Sequence, residues 1–558
     1  MPACHAPSVP GEFRAAATSL RQAMGNPGIR RLLLGWTFGI AADTALFVVL
    51  LVVAYSRDGI LGTGLLGAAR MGPAVVAGAL SGAALRRWPG RRILVAMAFV
   101  RAGAAVAAAV AIGLGAPTAV LLLAAAVAGG AGAFVRPIQA TLMPALATTP
   151  DELIAANVAW GFGEGLGSFG GPALASALMA LGDRPAVALA AAIGFGVTGA
   201  IVVGLRFEQA RDARAGRIDQ PGGGAEFVRG LRVLRRRPVA AWSTVGVFGQ
   251  TLTRGLLSGL IVVASVELLG LGDPGVGSLN AAMGIGGLVA GVFAMSLVRP
   301  ANLLASQAVT LAFWGLPIAV LGLVPVPIVA FGAMAVIGLS NAAYDAAAFT
   351  IFQRGCSNDE RGAVFAVFET VAGLGVVAGS LLAPVLLGVF GNREGIVVAG
   401  AFLPIIAVVV YGQTVRAGAL STVPEQSVAL LRSVAAFAAL PLTAIERLAE
   451  AAQPASYAAG EAVMRQGEPG DRFLVIERGE VNVFVDGQFV QRLGRGDGIG
   501  EVALLRRTPR TATIVATSEV AAVSIGALDF CTAVSGPRAG ALMEQLARQH
   551  LGRAGGTA

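Results

Sequence analysis

Residues 496–513 read Gly-Asp-Gly-Ile-Gly-Glu-Val-Ala-Leu-Leu-Arg-Arg-Thr-Pro-Arg-Thr-Ala-Thr. Gly498 and Gly500 let the backbone approach a ligand closely, and Val502 to Leu505 can make one helical turn whose free N–H groups point at an anion. Glu501, just before that turn, can accept hydrogen bonds from a sugar hydroxyl. Arg510 offers a planar fork of donors suited to a phosphate, Pro509 fixes the approach, and the Thr511 hydroxyl adds a donor. One acidic and one basic side chain thus divide a single ligand.

The segment upstream predicts a small β-roll. Phe473–Ile476 and Val481–Val485 are strand-like, Asp486-Gly487 is a tight hairpin turn, and Gly460, Gly467, Gly470 and Gly479 punctuate the run. Arg510–Val515 and Val520–Ile525 supply later strands. Helix-like stretches bracket the roll at Leu442–Ala452, Ala527–Val534 and Ala539–Leu551.

From about 440 to 552 the chain resembles the cyclic nucleotide-binding domain family. Gly500-Glu501-Val502-Ala503-Leu504-Leu505 followed by Pro509-Arg510-Thr511-Ala512 is similar to its phosphate-binding cassette almost position for position. The resemblance implies that Glu501 contacts the ribose hydroxyl and Arg510 the cyclic phosphate. It also implies backbone donors from Ala503 and Leu504, and a final helix that lids the base through Leu542 or Leu546. A degenerate roll that binds nothing is the alternative, but both charged positions are retained. Thr511 serves adenine or a guanine amino group equally, so cyclic AMP, with cyclic GMP as the alternative, is the expected regulatory ligand.

The rest of the chain has another character. Its 558 residues are 56% hydrophobic and 13% charged, with a mean hydropathy of +0.75, which places it in the membrane class. Apolar runs at about 32–55, 60–85, 93–114, 118–142, 155–181, 186–205, 240–266, 275–298, 303–323, 326–350, 362–390 and 396–415 each approach the ~20 residues a bilayer requires. Twelve spans put both ends on one side.

Arginine decides which side. Arg14, Arg21, Arg30 and Arg31, then Arg86, Arg87, Arg91 and Arg92, the stretch Arg206–Arg237, and Arg299, Arg354, Arg361 and Arg416 fall on one face; the other has Arg57, Arg184 and Arg393. By the positive-inside rule both termini are cytoplasmic, in the plasma membrane. The expected organisation is a cytoplasmic segment (1–31), a first six-helix bundle (32–205), a linker (206–239), a second bundle (240–416), a connector (417–440) and a nucleotide-binding domain (441–558).

The net charge of +9 is spread over membrane-flanking loops rather than gathered in a groove, which argues against a nucleic-acid partner. Cys4, Cys356 and Cys531 are odd in number and predicted cytoplasmic, so neither disulfides nor metal chemistry is expected. His5 and His550 are the only histidines, and no catalytic constellation is visible, so the chain does not read as an enzyme.

An internal repeat adds to this. Asp151-Glu152-Leu153 through Gly165-Leu166-Gly167 recurs as Asp359-Glu360-Arg361 through Gly373-Leu374-Gly375, and Trp36 and Trp242 open corresponding spans. Two parallel six-helix repeats are the plan of transporters that rock two bundles about a midplane site. The arrangement resembles the major facilitator superfamily across residues 30–416. Gly82–Arg92 is similar to its basic loop motif, Arg136-Pro137-Ile138-Gln139 to its fourth-span motif, and Gly167–Pro172 to the kink in the fifth span of exporters. Arg87 stands where the family usually has aspartate.

Ionisable side chains inside spans are expensive in lipid, so they face a cavity, pair, or carry protons and substrate. Asp43, Arg70, Arg136, Glu164, Arg254, Asp345 and Glu369 are such residues. Asp43 and Glu164 are the favoured proton carriers; a packing ion pair with Arg70 or Arg254 is the alternative, as it is for Asp345 and Glu369. Arg136 reads equally as a coupling residue or a snorkelling anchor. The expected function is a cyclic nucleotide-regulated secondary transporter, a proton-coupled exporter of small amphiphilic molecules; a membrane-anchored receptor that moves no substrate is the second reading.

Overall fold

The computed structural model describes residues 24–147, 149–205, 223–297, 303–356, 358–417, 425–434, 437, 440, 445, 448–449, 451–506 and 508–534. The chain divides into two compact units, Met1–Leu420 and Ser421–Ala558. The predicted helices at Leu442–Ala452 and Ala539–Leu551, with the lid candidates Leu542 and Leu546, lie largely or wholly outside the described residues.

The first unit is helical. Its elements are α1 (Pro27–Arg87), α2 (Gly90–Gly113), α3 (Thr118–Gly132), α4 (Val135–Leu146), α5 (Pro150–Ala180) and α6 (Arg184–Val203), then α7 (Gly223–Arg236) and α8 (Pro238–Val263). There follow α9 (Gly272–Leu297), α10 (Leu303–Leu323), α11 (Pro327–Gly355), α12 (Asn358–Phe390) and α13 (Asn392–Arg416). Local chemistry sets the starts. Pro27 opens α1 while the Asn26 carboxamide accepts from Gly28 N at 2.9 Å; Pro150 opens α5 while Thr149 Oγ1 accepts from Glu152 N at 3.2 Å. Asp58 and Gly59, the latter at φ +60°, break α1 where the sequence separates the first two spans.

Nine segments among the described residues are long and apolar enough to cross a membrane, and the first, Pro27–Gly78, has 52 residues around that break. The chain is therefore a multi-pass membrane protein. Helices α5 and α9, with 31 and 26 residues, are also of spanning length. The run 118–142 comprises α3 and α4, joined through Ala133 and Phe134, whose backbone angles stay helical.

The repeat is structural as well as sequential. Helix α5 starts at Pro150 and α12 at Asn358, and each packs glycines on the first helix of its half. A Cβ on Gly167 would meet Thr37 O at 2.8 Å and Ile40 at 2.9 Å; one on Gly375 would meet the Thr251 hydroxyl, with Phe248 O at 3.1 Å. Small residues permit such backbone approach between membrane helices. Gly167→Val and Gly375→Val should therefore each cost about 1–3 kcal/mol by overpacking. A thermal melt in detergent that matches wild type for both would refute this packing account.

Among the described residues the second unit contains α14 (Glu425–Ser433) and eight strands. These are β1 (Gln453–Tyr457), β2 (Ala462–Met464), β3 (Arg472–Arg478), β4 (Val481–Val485), β5 (Gln488–Leu493), β6 (Gly498–Ile499), β7 (Thr513–Ala516) and β8 (Val520–Gly526). Helices α15 (Glu501–Arg506) and α16 (Ala527–Val534) complete it. Two antiparallel four-stranded sheets, β1-β8-β3-β6 and β2-β7-β4-β5, face each other. Asp486 (φ 50°) and Gly487 (φ 80°) turn β4 into β5 as their identity demands.

Strand β3 explains the core. Phe473, Leu474, Val475 and Ile476 are all buried because both faces of the strand are covered. Leu474 and Ile476 pack between the sheets with Met464, Val483 and Ile514. Phe473 and Val475 point the other way, where Phe473 stacks on Phe530 at 4.6 Å and meets Phe437 edge-on at 5.4 Å.

Candidate ligand cavity and membrane charge clusters

A cavity of about 130 Å³ opens between β4, β5 and the loop that carries α15. Met464, Val483, Val485 and Ile514 line its apolar side; Gly500, Glu501, Ala503, Arg510 and Thr511 line its polar side. Gly500 sits at φ +97°, where a Cβ would strike the Arg510 guanidinium, so glycine is required there. Glu501 and Arg510 are only 7% and 6% exposed, charges that a fold keeps inside only for a partner. Arg510 is held ready: Nη2 donates to Arg472 O at 2.8 Å and Asp471 Oδ1 at 3.2 Å, and Nη1 to Gly500 O at 3.3 Å. A hydrogen bond from Arg472, joined by the charges of Arg472 and Arg510, holds the exposed Asp471 carboxyl below the usual carboxylate range against the opposing effect of desolvation. Burial pulls the Arg510 guanidinium down from its ordinary value, against the pull of Asp471.

In the membrane unit, three groups of charged residues among the described residues bear on the predicted sites. Asp43 accepts from Nη2 of both Arg70 and Arg101, and the two guanidinium groups lie over the rings of Phe47 and Phe195 at 4.4 and 4.2 Å. Arg101 is 7% exposed, and its Nε has no partner among the described residues. The second group crosses the repeat. Arg136 Nη2 donates to both Glu164 oxygens at 2.7 and 2.9 Å, with the side chains 56% and 39% exposed, while Asp345 and Glu369 of the second half act electrostatically on the same guanidinium. Arg254 acts on Asp345, which also accepts from Asn341 Nδ2 at 3.2 Å. Charges from both halves thus lie within electrostatic reach of one another.

The third group joins the halves at the loops that bear few arginines. Arg184 Nε donates to Asp273 Oδ2 at 2.8 Å, Ser176 Oγ to Pro274 O at 2.8 Å, and Tyr55 and Asn392 both donate to Glu267. That end is bridged, whereas Arg136 and Glu164 remain open.

Residues 454–534 match the Cyclic nucleotide-binding domain, and residues 32–306 match the Major Facilitator Superfamily. The chain is a fusion of these two families' domains. Similar solved structures include the cAMP-bound PfPKA-R (141-441), at 23% identity over 26% of this chain and 50% of that one, with a TM-score of 0.23. The regulatory domain of Toxoplasma gondii PKA with cAMP follows at 21% identity, 25% and 55% coverage and TM-score 0.22; PKAR CBD2 with Sp-2Cl-cAMPS bound has 27%, 21% and 78%, and 0.19. The chain spans about half the length of the first and second of these.

Within the facilitator domain, Asp43 and Glu164 do not share a site, and Arg254 belongs with Asp345 rather than with Asp43. Arg101 stands in an alanine run and is missing from the sequence-predicted residues; its only signal is a charge in the middle of an apolar helix. Within the nucleotide-binding domain, Gly500, Glu501, Val502, Ala503, Arg510, Thr511 and Ala512 all line the cavity. Leu504 instead packs inward with Phe473 and Phe530, Pro509 is exposed beside Arg510, and Arg510 precedes β7 rather than opening it.

Proposed function

We propose that the chain is a proton-coupled exporter of small amphiphilic molecules in the plasma membrane, with both termini cytoplasmic, twelve spans, and a transport rate set by cyclic AMP. The observation that carries the transport reading is that Arg136 and Glu164 lie within electrostatic reach of Asp345 and Glu369 from the opposite half, while Arg184 and Asp273 bridge the halves at one end. Charges contributed by both halves near the midplane, with the halves bridged at one end, are what alternating access uses. In this reading Glu164 and Glu369 exchange a proton while Arg136 balances the charge that remains, and Asp345 tunes the pair. Asp43, which two arginines hold, keeps the first bundle together instead.

The cyclic AMP reading rests on the cassette: the buried Glu501 takes the ribose hydroxyl, Arg510 the phosphate, and Met464, Val483 and Ile514 flank the rest. Residues 417–440 are the covalent connection between the ligand site and the transporter, and the ligand shifts transport only by differential affinity for the transporter's states. Cyclic AMP should change ethidium flux in proteoliposomes under a pH gradient by roughly 5- to 150-fold, for a coupling of 1–3 kcal/mol. Glu501→Ala with Arg510→Ala should abolish that response. Absence of any gradient-driven flux would favour the anchored receptor; a response that survives the double substitution would remove the cassette as regulator.

A further inference from the structure

The arginines of α7 take no part in either site, yet they are arranged. Phe227, Gly230, Val233 and Leu234 form one face that packs into the bundle, where Gly230 lies against the Ala363 carbonyl of α12. Beside that face Val228 and Leu231 are 53% and 42% exposed, and beyond them Arg229, Arg232, Arg235 and Arg236 are exposed on the remaining surface. None of these four forms an ion pair with a described residue, whereas Arg237 pairs with Glu360 at 3.3 Å. The helix leads through Arg237 and Pro238 directly into α8, a membrane-crossing segment.

Helix-terminus chemistry accounts for only part of this. Arg235 and Arg236 in the last turn complement the helix dipole, but Arg229 and Arg232 lie in earlier turns where the dipole offers nothing. Water alone accounts for the arginines but not for the uncovered Val228 and Leu231. A helix with one face on protein, an apolar strip next to it and arginines above the strip fits the boundary between acyl chains and headgroups. The strip meets chain ends while the long arginine stems reach up to phosphates.

We propose that α7 lies in the membrane interface and binds the headgroups of anionic phospholipids through Arg229, Arg232, Arg235 and Arg236. The charge complementarity is direct: four guanidinium groups with no ion-pair partner among the described residues, at the start of a span, face a surface that attracts basic residues. The proposal rests on the membrane assignment of the first unit and not on the transport reading, so it stands or falls without a known substrate.

The test uses the full-length protein in nanodiscs containing equal amounts of phosphatidylcholine and phosphatidylglycerol, with retained lipids counted by native mass spectrometry. Wild type should retain phosphatidylglycerol preferentially, and R229Q/R232Q/R235Q/R236Q should lose that preference by roughly 600-fold, since each of the four basic residues near an anionic surface contributes about a fivefold factor. The corresponding four-lysine variant should keep most of it. High salt should weaken retention by wild type, which keeps the test open if the glutamine variant fails to fold. Equal retention of both lipids by wild type would overturn the proposal, as would competition by millimolar inorganic phosphate alone. So would a glutamine variant that keeps its lipid preference while hydrogen exchange rises in residues 425–534, because the arginines would then be serving the C-terminal domain.

Discussion

Arg510→Ala should weaken cyclic AMP binding by the full-length protein by about 30- to 1,000-fold, the equivalent of roughly 2–4 kcal/mol. The size follows from preorganisation. The guanidinium is buried and already oriented by Arg472 O and Asp471, so little rotamer entropy remains to be lost when a phosphate arrives. Arg510→Lys should recover only part of the loss, because an ammonium supplies charge without the bidentate fork. Asp471 will not confuse the measurement with pH. Its folded-state pKa is depressed, so its ionised form persists above the usual carboxylate range and is lost only on acidification below it. Affinity should accordingly be level between about pH 5 and 8 as far as this pair is concerned. Calorimetry that finds the Ala variant binding like wild type would take the guanidinium out of the site.

The cassette was legible because its chemistry is local. Gly500, Glu501 and Arg510 lie within one loop, and the steric need for glycine at φ +97° is a property of a single residue. The Asp486-Gly487 turn was legible for the same reason. Strand limits were less so: Arg510 precedes β7 because its backbone N–H is taken by Glu468 O at 2.8 Å and its carbonyl by Gly467 N at 2.9 Å, bonds to a turn more than 40 residues upstream. Charge partners inside the bundle were the least legible. Asp43 finds Arg101 across 58 positions and Arg70 across 27, and periodicity does not say which helices touch. The repeat was readable since Gly167 and Gly375 recur with their neighbours, but that Arg136 faces charges of the second half depends on how the two halves pack.

Asp43→Asn should lower the stability of the protein by roughly 3–5 kcal/mol, the cost of leaving a buried charge without its partner. One carboxylate serves two guanidinium groups there, with side-chain exposures of 15%, 20% and 8%. An amide keeps the shape and can still accept a hydrogen bond, but it neutralises neither arginine, and lipid-facing helices offer no water to do so. Glu164→Gln sets the contrast. Its partner Arg136 is more than half exposed, so the lost ion pair should cost under about 1 kcal/mol, yet an amide carries no proton and gradient-driven ethidium flux should fall to background. Melting temperature and flux, measured on both variants in the same preparation, separate a residue that holds helices from one that moves a proton. The reverse pattern, with Asp43→Asn melting like wild type but uncoupled and Glu164→Gln still coupled, would exchange the two roles. Arg101→Leu added to Asp43→Asn then tests the charge argument itself: with one cation removed along with the anion, part of the lost stability should return, because what destabilises the single variant is uncompensated positive charge rather than the missing hydrogen bond.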